Sequence, residues 1–194
     1  FSPQTQSADD WLAKLIEGLP DDDLSEENES ERFTGALRPY QRRALSWLQF
    51  LGRLGLGGCL ADDMGLGKTP TALAHIQSRH SDKPTLVICP LSVVHNWEQE
   101  VSQFTPDLEV LILHGAKRPT GNELLERATS VNIVISTYGT ATRDIENLSK
   151  IHWDLVVCDE AQFIKNHQTN AAIAIRELTA DQKIALTGTP VENR

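Results

Sequence analysis

A glycine-rich run ends on a lysine and a threonine in this chain: Asp62-Asp-Met-Gly-Leu-Gly-Lys-Thr69 follows the short apolar stretch Gly58-Cys-Leu-Ala61 and precedes a segment of helical pattern. The spacing is close to that of a phosphate loop, G-x-x-x-x-G-K-[ST], with Asp62 where the first glycine is expected. Gly65 and Gly67 would let backbone N–H groups turn inward around phosphate oxygens, and the helix start adds its partial positive charge. Lys68 would hold the β- and γ-phosphates of a nucleotide and Thr69 would ligate magnesium. Asp62, Met64 and Leu66 complete the cofactor-binding run. A glycine turn with a chance lysine is the plain alternative, and the strand before and helix after favour the phosphate loop.

A second constellation lies about ninety residues on, where the apolar run Leu155-Val-Val-Cys158 delivers Asp159-Glu160-Ala161-Gln162. Two carboxylates ending a strand are, alone, usually a solvated turn. Paired with a phosphate loop, they read as a metal and base site: Asp159 on the magnesium, Glu160 orienting or deprotonating the attacking water. His114, at the end of another strand, has no companion histidines at ligand spacing and reads as a turn residue.

The elements that must position these groups follow from periodicity. Apolar β-type runs are expected at 58–61, 85–89, 109–113, 132–136, 154–158 and 183–186, alternating with helices at 68–78, 92–104, 121–128, 138–148 and 169–178. An earlier helix, with Pro39 near its start, carries Leu37, Tyr40, Ala44, Leu45, Leu48 and Leu51 at helical intervals. Strand and helix in alternation predict an α/β fold, a mostly parallel central sheet with helices on both faces. Continuous runs such as Ile133-Val-Ile135 suit strands buried on both sides. Ligands in such folds bind at the carboxyl ends of the strands, where both constellations fall. Trp47 and Trp153 lie outside any basic stretch and read as packing residues.

Composition bounds the class. The 194 residues, 40% hydrophobic, suffice for one main domain. We divide the chain into a 1–34 extension, a short helix at 9–19 plus an acidic linker, and a 35–194 nucleotide-binding domain. The formal charge of -9 would argue against nucleic acid, yet seven acidic residues (Asp21, Asp22, Asp23, Glu26, Glu27, Glu29 and Glu31) fall between positions 21 and 31 with no Lys or Arg among them, and the rest is nearly neutral. Cys59, Cys89 and Cys158 have no paired spacing and are expected to be buried thiols of a reducing compartment. No stretch approaches the ~18 to 20 apolar residues of a membrane span, and no membrane partner is expected. The opening at Phe1 and the end at Arg194 suggest a piece of a longer protein.

From about Leu37 onward these segments resemble the Swi/Snf family of superfamily-two helicase-like ATPases. Leu37-Arg-Pro-Tyr-Gln41 is similar to the family's adenine-recognition element, which implies that Gln41 reads the adenine edge. The family habitually has Asp at the position of Asp62. Pro90-Leu91-Ser92 with Trp97 and Glu100 is similar to motif Ia, and Ile135-Ser136-Thr137-Tyr138 to motif Ib, both of which contact the DNA backbone in relatives. Ser136 and Thr137 have a plainer alternative as a helix cap, and 85–90 as a core strand with a turn. Asp159-Glu-Ala-Gln162 with Ile164-Lys-Asn166 matches the magnesium and catalytic box, although Gln162 stands where many members have His, as in the bacterial branch. Leu186-Thr187-Gly188-Thr189-Pro190, followed by Asn193, resembles motif III, whose threonines couple nucleotide state to DNA contacts.

The resemblance implies a RecA-like P-loop domain, the first of two. ATP and Mg2+ are the implied cofactors, and double-stranded DNA and the second RecA-like domain the implied partners; a nucleoprotein complex or a polymerase is a further one. Arginine fingers come from the second domain and are worth ~10³ to 10⁵ in rate, so this chain alone is expected to bind nucleotide and barely turn it over. A nucleotide-responsive interaction module and a strand-separating helicase are the competing classes. Gln162 and Val191-Glu-Asn193 favour a bacterial, cytoplasmic and nucleoid-associated setting over a nuclear one.

Overall fold

The computed structural model describes residues 28–61 and 67–188. The helix expected at 9–19, most of the acidic linker, loop residues Asp62, Met64, Gly65 and Leu66, and Thr189 and beyond lie outside the described residues.

Six strands form one sheet: β1 (Gly58–Ala61), β2 (Thr85–Cys89), β3 (Val110–Leu113), β4 (Ile133–Thr137), β5 (Trp153–Cys158) and β6 (Ala180–Thr187). Their order is β1-β6-β5-β2-β4-β3, and every neighbouring pair is parallel. The helices are α1 (Pro39–Arg53), α2 (Lys68–Ser78), α3 (Val94–Phe104), α4 (Gly121–Thr129), α5 (Tyr138–Arg143), α6 (Ile145–Leu148) and α7 (Asn170–Glu177). None of them is long and apolar enough to cross a membrane.

Because successive strand side chains point to opposite faces, each apolar run divides between two cores. Val87, Ile133, Ile135, Leu155, Val157 and Ile184 pack with Leu45 and Leu48 of α1, Leu73 of α2 and Trp97 and Val101 of α3. Leu86, Ile88, Val134 and Val156 pack on the other face with Leu124 of α4, Ala141 of α5, Leu148 of α6 and Ile175 of α7. Each fully buried aliphatic side chain of this kind contributes roughly 1.5–3 kcal/mol. Trp153 is fully buried with its indole N–H donating to the Leu148 carbonyl (3.0 Å), and Trp47 stacks on Phe50, so both tryptophans pack.

Three expectations are corrected. The helix expected at 138–148 is two helices, because Asp144 (φ -98°, ψ 14°) leaves helical geometry between α5 and α6. Its carboxylate takes both arms of the Arg118 guanidinium at 2.7 and 2.9 Å, anchoring the loop after β3. The helix expected at 92–104 begins as a 3-10 turn, Leu91–Val93, before α3. Cys59 is exposed, since β1 lies at the margin of the described sheet, whereas Cys89 and Cys158 are buried with thiol pKa values pushed up to about 12 by burial.

Candidate nucleotide and metal site

Register brings the chemistry to one edge. Ala61 stands beside Thr187, and Cys158 stands beside both Ile88 and Ala185, so the segments leaving β1, β2, β5 and β6 emerge side by side. There a cleft of about 510 Å³ is lined by Gly67, Lys68 and Thr69 at the start of α2, by Asn96, Trp97 and Glu100 of α3, and by Asp159 and Glu160. Its volume is within the range of small-molecule sites.

Gly67 caps α2 in the left-handed region (φ 73°), where a side chain is strained. Its carbonyl accepts hydrogen bonds from Gln41 Nε2 (3.0 Å) and Thr71 Oγ1 (3.2 Å). Gln41 sits at the third position of α1, and its Oε1 accepts the Arg38 N–H at 2.8 Å. One amide thus closes the start of α1 and clamps it onto the phosphate loop. A second cavity of about 250 Å³, lined by Phe33, Arg38, Tyr40 and Gln41, meets the cleft at Gly67, Pro70 and Phe104. The pair offers a small compartment with aromatic walls and an amide, continuous with a charged one.

Asp159 is held on three sides. Its Oδ2 accepts from Trp97 Nε1 (2.8 Å), its Oδ1 from the Glu160 N–H (2.9 Å), and its own N–H donates to the Ile88 carbonyl (2.8 Å). Burial pushes the Asp159 carboxyl above the usual carboxylate range, an effect the Trp97 and Glu160 hydrogen bonds and the Lys68 charge oppose. Tyr138 donates its hydroxyl to the Asp159 carbonyl (2.6 Å) and stacks on Phe163. Glu160 adopts a left-handed backbone (φ 51°, ψ 51°), a strained conformation of the kind concentrated at functional sites. Gln162 Nε2 donates to Glu160 Oε2 while Gln162 Oε1 accepts from Thr187 Oγ1 (3.1 Å). The carboxylate expected to act on water is therefore bridged by one amide to the first threonine of the motif III segment. Thr187 is buried and Gly188 follows it at the same edge.

The surface expectations divide. Pro90 is half-buried, and Leu91 and Ser92 are exposed on the turn after β2, Leu91 to 60%. Ser136 is fully buried and its hydroxyl donates to the Leu113 carbonyl (3.1 Å), so that hydroxyl is neither a surface contact nor a helix cap. Thr137 is also buried, and its Oγ1 caps α5 by accepting from the Thr140 N–H (3.2 Å). Only Thr137 follows the cap reading. Trp97 and Glu100 face the nucleotide side of the cleft rather than the exposed turn that opens their motif. Sequence reading passed over Asn96, Gln103 and Phe104, which line the cleft with them; helical spacing on one face of α3 was the available signal. His114 sits beside Thr140, Nδ1 to Oγ1 3.4 Å, as a turn residue.

The donor set fits a magnesium ion carried with a nucleotide. Among the described residues no three His, Cys, Asp or Glu side chains converge as a cage. Magnesium keeps several waters and takes one or two protein oxygens plus phosphates, and Thr69 and Asp159 supply such a pair. The buried Oε2 of Glu100, without a hydrogen-bond partner, leaves a further acceptor beside them.

A parallel α/β sheet with a lysine-bearing glycine turn facing an Asp-Glu pair across the strand ends defines a RecA-like P-loop domain. Residues 40–194 match the SNF2-related domain, and the chain belongs to that family of helicase-like ATPases. It is 43% identical over 177 residues to YwqA of Bacillus subtilis, named as an ATP-dependent helicase/translocase, covering 89% of this chain and 19% of that protein. It is 37% identical over 166 residues to the ISWI chromatin-remodeling complex ATPase ISW1 of Saccharomyces cerevisiae, covering 82% of this chain and 15% of the relative. The Sulfolobus solfataricus SWI2/SNF2 ATPase core in complex with dsDNA superposes with a TM-score of 0.76 at 41% identity, over 88% of this chain and 35% of that one. The same archaeal core domain in a second structure gives 0.72 at 41% identity, over 87% and 33%. The chain thus spans about a fifth of the bacterial relative and a third of the archaeal core.

Proposed function

We propose that this chain is the ATP-binding first domain of an SNF2-type motor that tracks along double-stranded DNA. The observation that carries the reading is the convergence of Lys68, Thr69, Asp159 and Glu160 on one cleft joined to the compartment of Tyr40 and Gln41.

In this reading Gln41, already oriented by Arg38 and Gly67, meets the base edge, and Lys68 holds the β- and γ-phosphates. Thr69 and Asp159 hold the metal, which when bound would neutralise charge on the phosphate oxygens. Glu160 accepts the proton of the attacking water as its oxygen bonds to the γ-phosphorus and the β-γ bridging oxygen leaves with ADP. Gln162 passes any shift of Glu160 to Thr187. The exposed turn of Pro90, Leu91 and Ser92 meets the DNA backbone, which positions without reading sequence. The archaeal neighbour, a core solved on dsDNA, supports this choice of partner. The bacterial relative supports a bacterial parent; a cytoplasmic setting is part of the proposal, and hydrolysis is completed by a second RecA-like domain.

The test is ATP-analogue binding and steady-state hydrolysis by the chain with Mg2+, with and without duplex DNA, beside Lys68→Ala. Binding that needs Lys68, with negligible turnover, is expected. Binding indifferent to Lys68 would sink the site, and robust DNA-stimulated turnover would sink the split-site part of the reading.

A further inference from the structure

We infer that Trp97 and Glu100 of α3 are positioning residues of the metal site: Trp97 aims the Asp159 carboxylate, and Glu100 supplies a second carboxylate to the water shell of the bound cation. The inference rests on the proposed nucleotide site and deepens it.

Four observations carry it. Trp97 is fully buried, yet its indole N–H is spent on Asp159 Oδ2 at 2.8 Å. A buried tryptophan usually donates to some acceptor, and here the acceptor is the carboxylate expected at the metal. With the Glu160 N–H on Oδ1, each Asp159 oxygen receives one donor and the plane of the carboxylate is set. Glu100, one helical turn beyond Trp97, lines the same cleft, and its Oε2 is buried without a hydrogen-bond partner. A buried carboxylate oxygen without a donor is costly, and a donor brought by a ligand removes that cost.

Charge points the same way. Asp159, Glu160 and Glu100 face the cleft with Lys68 as the cation among its lining residues. Burial and the nearby Asp159 charge both push the Glu100 carboxyl upward, so the fold gathers charges that its own groups disfavour. A hydrated dication reverses that sign, since its bound waters donate hydrogen bonds outward to carboxylates. The α3 segment therefore has two ends with different work: the turn of Leu91 and Ser92 faces solvent, and the face of Trp97 and Glu100 braces the metal side of the nucleotide site. A displacement at the first end would move Asp159 through the second.

The experiment measures affinity of the 194-residue chain for a fluorescent ATP analogue in EDTA and across a Mg2+ titration. Trp97→Phe keeps the aromatic ring and loses the donor; Glu100→Gln keeps the shape and loses the charge. Each is expected to reduce the Mg2+-dependent gain in affinity by about tenfold, within the usual range for outer-shell partners, with a smaller change in EDTA. Trp97→Phe with Asp159→Asn should be no weaker than Asp159→Asn alone, because Trp97 acts through Asp159. Equal losses with and without Mg2+, an additive double variant, or no change in the Mg2+ arm overturns the inference. Should Trp97→Phe not fold, Glu100→Gln decides alone. Binding insensitive to Lys68→Ala overturns the nucleotide reading itself and this inference with it.

Discussion

Gly67 shows how much one position can carry. It has a left-handed backbone, its carbonyl takes two side-chain hydrogen bonds, and the place a Cβ would occupy is already filled by the Gln41 amide. A Gly67→Ala chain should lose about 1–2 kcal/mol in urea unfolding from the backbone alone, together with analogue binding. Adding Gln41→Ala relieves only the collision, so the double variant should stay less stable than Gln41→Ala by at least the backbone term. Equal stability of those two variants would remove strain as the reason for glycine. The motif spacing announced Gly67, Lys68, Asp159 and Glu160 directly. It did not announce Trp97 as the partner of Asp159, because the motif Ia resemblance implied a contact to the DNA backbone and the direction of an indole N–H is invisible in a pattern. Gln162 stood out only as a departure from histidine; its bridge from Glu160 to Thr187 needs two strand ends in register.

Between elements, the opposite end of the sheet is tied by a buried polar network. Arg79, the residue capping the end of α2, grips the Asp154 carboxylate of β5 (Nη2 to Oδ1 2.9 Å) and Gln182 Oε1 of β6 (2.8 Å), while Gln182 Nε2 donates to the Leu48 carbonyl of α1. His75 Nε2 meets the same Gln182 Oε1 at 2.8 Å. Burial drives the His75 pKa down to about 4, so the imidazole is neutral in the fold. The unfolded chain, with an ordinary value near 6.5, binds the proton first as pH falls. Stability from His75 is thus present above about pH 6.5 and is lost as pH falls toward 4, an effect on the order of 3 kcal/mol. Urea unfolding at pH 7 and pH 4 should show this loss in the parent chain and a smaller one in His75→Gln; identical pH slopes would refute it. Here sequence reading was least complete. Strand β6 was expected at 183–186 because 180–182 reads Ala-Asp-Gln, yet each polar side chain there has a partner: Asp181 with Lys83 and His152, Gln182 in the network, and Lys183 on the carbonyls ending α7. Apolar runs reveal buried strands, while polar strand residues are legible only once their partners are in place.

At the scale of the whole molecule, the α/β class and all six strands follow from runs that two cores divide between them, whereas strand order does not, since periodicity says nothing about which strands are neighbours. That order places four sequence-distant segments on one edge, and the segments that follow the strands carry the exposed basic residues Lys117 after β3, Arg143 at the end of α5 and Lys165 after β5. The overall charge of -9 opposes binding to a polyanion, so any DNA affinity of this chain must come from a few local phosphate contacts. Such contacts have a signature: log affinity for B-form DNA falls with log salt at a slope of about -0.9 per neutralised phosphate. A shallow but measurable slope is expected for the chain on duplex DNA, unchanged by base sequence. Lys117→Ala and Arg143→Ala should each reduce its magnitude by about one if they touch phosphate, and leave ATP-analogue binding alone because neither lines the cleft. A slope of zero would mean that this chain makes no phosphate contacts; a steep slope indifferent to both variants would place the contacts elsewhere on the chain.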